Sequence, residues 1–199
     1  MERRCEDVYC DSLPEYVEKM TKRFFVSGAE RNIIKSQLDS SADNVLAVIK
    51  RCSSGFPQIL LVHPFYKGEV FPTVFWLSCP KLRKDIFQLE DQGLLEKLTD
   101  KEKKSSSFSQ KMKKAHDEYS LCRRKLMKNE QWKQAASISE DIVKTLKDSG
   151  VGGIRTSSGL KCLHTHYAHY AAGGENPVGR ITSDHLEIPW LCRSCYSYI

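Results

Sequence analysis

Apolar positions along the chain change their period twice. Near the start, Leu13, Tyr16, Val17, Met20 and Phe24 repeat at helical spacing. Ser12-Leu-Pro-Glu15 opens that stripe with a Ser cap, an early Pro and a Glu placed to cap back, and Gly28 ends it. A second short helix is predicted over about 29–38, with Ile33, Ile34 and Leu38 inward. The pattern then becomes extended. Val45–Lys50, Gln58–Val62 and Phe71–Leu77 read as three strands, the second apolar enough to be buried on both faces. Their short separations predict an antiparallel meander or hairpin pair.

Helical spacing returns at Ser78-Cys79-Pro80, with Pro at the first helical position and Gly93 as the stop. After a break at Ser105–Ser107, Phe108, Met112, Ala115, Tyr119, Cys122 and Leu126 recur at alternating steps of four and three. Fewer than three heptads are present, so the seam predicts a helix packed on the core or in a helical hairpin. Ile138, Ile142, Val143 and Leu146 supply the partner helix. A last helix is predicted over about 160–172, and Asn176-Pro-Val-Gly179 reads as a turn. The expected fold class is α+β: a small antiparallel or mixed sheet of about three strands against a mostly helical C-terminal part with a helical hairpin. Residues 1–30 are expected to form a helical extension. Residues 31–199 are expected to form one domain, with a Cys/His-rich helix and a C-x-x-C tail.

Composition narrows this modestly. Of 199 residues, 40% are apolar and 28% charged, an ordinary globular balance that excludes a disordered chain or a bare coiled coil. No run reaches the roughly 18 apolar residues of a membrane helix, and the N-terminus has no apolar signal segment. A cytoplasmic location is therefore expected. The net charge of +6 is local: residues 99–149 carry 13 basic and 8 acidic side chains. A basic face on the 108–147 helices could meet nucleic acid or a protein partner. A solvated helix face explains the same charges.

Eight cysteines change the picture more. In a reducing compartment they read as core residues, metal ligands or a reactive thiol. The densest group is Lys161-Cys162-Leu163-His164-Thr165-His166-Tyr167-Ala168-His169, which holds three of the six histidines. At about 100° per residue, Cys162, His166 and His169 fall within roughly 60° of one another on a helix, and His164 points elsewhere unless the first turn is distorted. Thiolate and imidazole together suit zinc. Cys192-Arg-Ser-Cys195 is half of many zinc sites. Cys79, where a strand meets a helix N-terminus, could be a ligand or an activated nucleophile with His164 or His169 as base. Cys52 lies in the loop between two strands and is a further candidate for the same place.

Four blocks together resemble one bacterial family. They are Arg51-Cys52-x-x-Gly55-x-Pro57, Phe71-Pro72-Thr73-x-Phe75-Trp76-Leu77-x-Cys79-Pro80, Lys161-Cys162-Leu163-His164 with Ala168-His169, and Asn176-Pro177-x-Gly179. The family is domain of unknown function 501, and the resemblance covers about residues 31–181. It carries no established activity. It implies that Cys79 occupies a position where some members have His, an exchange that suits metal ligands better than nucleophiles. It also implies that Cys162, His164 and His169 match family positions, whereas His166 is particular to this branch. Ser40-Ser-Ala-Asp43 stands where many members have a basic stretch, which weakens a phosphate- or nucleic-acid-binding role.

The leading expectation is one metal site, zinc, drawn from Cys79, Cys162, His164, His166, His169, Cys192 and Cys195. Four protein ligands would make it structural; three plus water would make it hydrolytic. A structural site is the first choice because ligand candidates are abundant. An iron–sulfur cluster on Cys79, Cys162, Cys192 and Cys195 ranks lower. The alternatives are an enzyme using a Cys79 thiolate with a His base, and an interaction module built on the 108–147 helices.

Overall fold

The computed structural model describes residues 26–155, 158–189 and 192–198. The helix expected after Ser12 lies outside these residues. The first described helix, α1, spans Gly28–Leu38 and begins with a capping box between Ser27 and Glu30. Strands β1 (Val45–Arg51), β2 (Pro57–Val62) and β5 (Phe75–Leu77) form one antiparallel sheet in the order β1-β2-β5. β2 is central and buried along its whole length. Because strand side chains alternate, Ile59 and Leu61 face the helical side, whereas Leu60 and Val62 face a smaller core under α1 with Ile34, Val45 and Val48.

The third strand is shorter than its sequence suggests. Pro72 and Thr73 interrupt the run, and Phe75, Trp76 and Leu77 are in register with β2, with Val74 and Ser78 each adding one backbone hydrogen bond at either end. The upstream segment forms a two-stranded hairpin instead, β3 (Phe65–Tyr66) with β4 (Glu69–Val70). Lys67 and Gly68 at its tip both have positive φ, as a tight two-residue hairpin turn requires.

Among the described residues, α-helices fill the stretch between the sheet and the tail. They are α2 (Pro80–Asp91), α3 (Leu94–Lys104), α4 (Ser106–Lys125), α5 (Asn129–Ile138), α6 (Glu140–Asp148) and α7 (Leu163–Ala171). α8 (Pro177–Asp184) follows. The four–three seam on α4 is a core-packing face: Met112, Ala115, Tyr119 and Cys122 are buried in the main core with Phe75 and Leu77. The expected single partner helix is two. Ser139 is extended, ends α5 and caps α6, and Ile138 is left exposed. Asn176 is not in a free turn. Its side chain accepts from Gly179 N–H and caps α8, with Pro177 in the first turn.

Two buried polar side chains tie the layers together. The Tyr119 hydroxyl accepts from the Val74 and Phe75 N–H groups at 2.8 and 3.3 Å. The Arg123 guanidinium, fully buried, donates to the carbonyls of Pro72, Ser149 and Gly150. It thus satisfies groups at the C-terminal end of α6 that would otherwise be orphaned.

Candidate metal centre

The expected last helix starts three residues late, and that shift decides the site. Cys162 is extended and stands as the N-cap of α7, so it is not on the helix face at all. Leu163 is buried and anchors the first turn. The orphan N–H of Leu163 is satisfied from another helix: Glu90, in the last turn of α2, accepts it on Oε1 at 2.6 Å. Thr165 closes the turn by donating to the Cys162 carbonyl, and its hydroxyl lies 3.1 Å from the Cys162 sulfur.

His164 turns back into this corner. Its Nε2 lies 3.0 Å from the Arg83 carbonyl and its Nδ1 lies 3.4 Å from Glu90 Oε2. A carbonyl only accepts, so Nε2 carries the proton and Nδ1 faces Glu90. Among the described residues, Glu90, Cys162 and His164 are the group whose ligand atoms all lie within 4.8 Å of one another. Burial pushes the Cys162 thiol up, but His164 and Thr165 outweigh it and hold the thiol below its ordinary value. Burial opposes protonation of His164, yet Cys162, the Arg83 carbonyl and Glu90 hold it above its ordinary value. The corner opens onto a cleft of about 630 Å³, whose wall includes Trp76, Arg83, Lys84, Phe87, His164 and Thr165.

His166 and His169 lie elsewhere. Both are fully buried. Asn176 Nδ2 reaches His166 Nδ1 at 3.1 Å and His169 Nδ1 at 3.4 Å. An amide nitrogen donates, so it takes up the lone pairs that a metal would need there. His169 also stacks on Phe75 and meets the Tyr119 ring edge-on. Burial, with His116 and His169 nearby, pushes His166 down to about 3.

Cys79 is the N-cap of α2 and is buried. Burial pushes its thiol up, although the Leu82 and Lys81 N–H groups face it and pull the other way. The Cys195 and Cys192 thiols add to the rise. A raised thiol is the opposite of what a nucleophile needs. Among the described residues, Cys79, Cys192 and Cys195 do not join Cys162 and His164 in a group of ligand atoms within 4.8 Å of one another. Glu90 carried no mark in the sequence. It is one acid on a charged helix, and only the packing of α2 on α7 selects it. On the basic stretch, Arg123 is spent on carbonyls inside the core, and Lys147 sits over the Trp132 ring.

Comparison of the whole chain decides its relationship. The family described as Protein of unknown function (DUF501) matches residues 48–184. The chain belongs to the DUF501 family. The DUF501 region contains Glu90, Cys162 and His164, and ends before Cys192 and Cys195. Comparisons with curated proteins and with solved structures found no match. Among the described residues, no helix is long and apolar enough to cross a membrane.

Proposed function

We propose that Glu90, Cys162 and His164 hold one zinc ion with an open position on the cleft, and that this DUF501 protein is a metal-dependent hydrolase. The observation that carries the reading is the His164 ring. Nε2 is committed to the Arg83 carbonyl, which fixes the tautomer and aims Nδ1 at the thiol and the carboxylate, as ligating histidines are held. Ligand atoms around tetrahedral zinc stand about 3.3–3.7 Å apart. The Nδ1–Oε2 separation of 3.4 Å already fits. A thiolate and a carboxylate bring two negative charges, which a divalent ion neutralises. Three protein ligands beside a cleft favour a hydrolytic site over a closed structural one. Bound zinc would supply charge neutralisation and an acidified water. Arg83 and Lys84, with Trp76 and Phe87 on the same wall, suit an anionic substrate bearing an apolar group.

The test is elemental analysis of full-length protein purified without chelator, beside hydrolysis of aryl phosphate and carboxylate ester panels. Zinc falls by one per chain in His164→Ala, and Glu90→Gln, which removes an anionic ligand, also lowers the zinc content. Hydrolysis disappears with chelator and returns with zinc. Unchanged zinc content in His164→Ala overturns the reading. A second reading rests on the lowered thiol and raised imidazole: Cys162 as a nucleophile with His164 and Glu90 behind it. It predicts rapid iodoacetamide labelling of Cys162 in zinc-free protein, slowed by His164→Ala.

A further inference from the structure

Helix α2 has two faces of different character. Leu82, Ile86 and Leu89 recur at i, i+4 and i+7 and pack into the main core. Half a turn away, Pro80, Arg83, Lys84 and Phe87 recur at i, i+3, i+4 and i+7 and share the opposite face. All four line the cleft of about 630 Å³. A face turned from the core ordinarily carries polar side chains, yet Phe87 stands there 57% exposed. It belongs to no apolar core among the described residues. Trp76, from the end strand of the sheet, brings a second aromatic side chain to the same cleft. Phe71 meets the Trp76 ring edge-on at 6.4 Å.

The charge of the cleft has one sign. None of the residues that line it is acidic, whereas Arg83 and Lys84 are both cations. Asp85, next to Lys84 in sequence, is paired with Lys81 instead. Arg83 donates one N–H to the Gln37 carbonyl at 3.0 Å, which ties the guanidinium down and leaves the rest of its fork for a ligand. Thr73 and Thr165 add hydroxyls. His164 lines the same cleft, so these groups stand beside the Glu90 corner. Two neighbouring cations suit the double charge of a phosphate monoester better than the single charge of a carboxylate. Aromatic rings beside cations are what hold a nucleobase and its phosphate together. Size agrees: clefts of roughly 300–1,000 Å³ take ligands much larger than a simple aryl ester.

We propose that the ligand of this cleft is a nucleoside monophosphate, with its base against Phe87 and Trp76 and its phosphate at Arg83 and Lys84. Binding stands on the cleft alone; turnover rests on the zinc reading above. In that turnover a water oxygen joins phosphorus and the ester P–O bond breaks. One water proton leaves on the nucleoside hydroxyl, and the other stays on inorganic phosphate.

The test separates the two halves of the ligand. Isothermal titration calorimetry on the full-length protein measures the 5′-monophosphates of adenosine, guanosine, cytidine and uridine, with the four nucleosides and ribose 5-phosphate beside them. The titrations are run on zinc-loaded wild type and on His164→Ala in chelator, and inorganic phosphate release is assayed separately. At least one nucleoside monophosphate is expected to bind about tenfold more tightly than ribose 5-phosphate, in both preparations. Phe87→Ala should weaken that nucleotide about tenfold and leave ribose 5-phosphate unchanged. Lys84→Ala should weaken the nucleotide and leave its nucleoside unchanged. Both side chains are exposed, so neither variant disturbs the core. Equal affinity for nucleotide and ribose 5-phosphate overturns the proposal. So does nucleotide binding that Phe87→Ala leaves untouched, or no binding of any of the four at millimolar concentration. Phe87-dependent binding without release of inorganic phosphate supports the proposal and removes the hydrolase reading instead.

Discussion

The first turn of α7 places His164 at the rim of a cleft, against Glu90 and a backbone carbonyl. One turn further, His166 and His169 have no exposure at all and share the Asn176 amide. The residue type is the same in both turns. What differs is the partner. At the first turn a carboxylate from α2 and a thiol leave Nδ1 of His164 facing anionic groups. At the second, an amide donor occupies the Nδ1 lone pairs. His169 too has an acid nearby, Glu118 Oε1 at 3.7 Å from its Nε2, so what sets the second turn apart is the amide donor on Nδ1 and complete burial, not the lack of a carboxylate.

Acid offers the strongest way to break this contrast. His166 binds its proton near 3 in the folded chain, against an ordinary value of 6.5. Between those values the unfolded chain holds more protons, so stability rises with pH through this window and levels off above it. Lowering the pH from 6.5 to 3 should remove on the order of 4 kcal/mol through this one group. Urea titrations across that range measure it. His166→Asn should show a visibly shallower acid limb.

Next in size is His169→Ala. Removing a fully buried ring packed on Phe75 and Tyr119 should cost about 3 kcal/mol, read by urea unfolding at pH 7. Zinc content should stay at the wild-type value. Loss of zinc in this variant with folding intact would erase the distinction between the two turns.

The sequence made much of the frame legible for physical reasons. A strand buried on both faces has to be apolar throughout, and β2 is. Pro80 after Cys79 marks a helix start because its missing N–H costs nothing there. The seam on α4 survives because Met112, Ala115, Tyr119 and Cys122 all pack into the main core. The site was less legible. Periodicity counts Cys162 as helical, whereas its extended backbone makes it a cap, which exchanges His166 for His164 as its partner. Glu90 is 72 residues from Cys162 and shares no local pattern with it. Asn176-Pro-Val-Gly179 has the composition of a turn and also that of a capped helix start. Only the packing of α8 on α7 decides between them: a Cβ at Gly179 would overlap the His166 carbonyl.

Asn176 offers the smallest and most local test. Asn176→Ala removes the cap of α8 and the donor to both buried rings, and should cost about 1–2 kcal/mol. It should also leave His166 and His169 with free lone pairs. If zinc content then rises above wild type in elemental analysis, the amide is what keeps the second turn from binding metal.

The buried Arg123 has a consequence for how the chain is made. Its acceptors lie 51 residues before it and 26 and 27 residues after it. A ribosome adds roughly 5–20 residues per second. For more than a second after its own synthesis, the arginine has its earlier acceptor at Pro72 and lacks the later ones. The full set of acceptors for this cation exists only once Gly150 is made, so its complete burial waits on residues made after it.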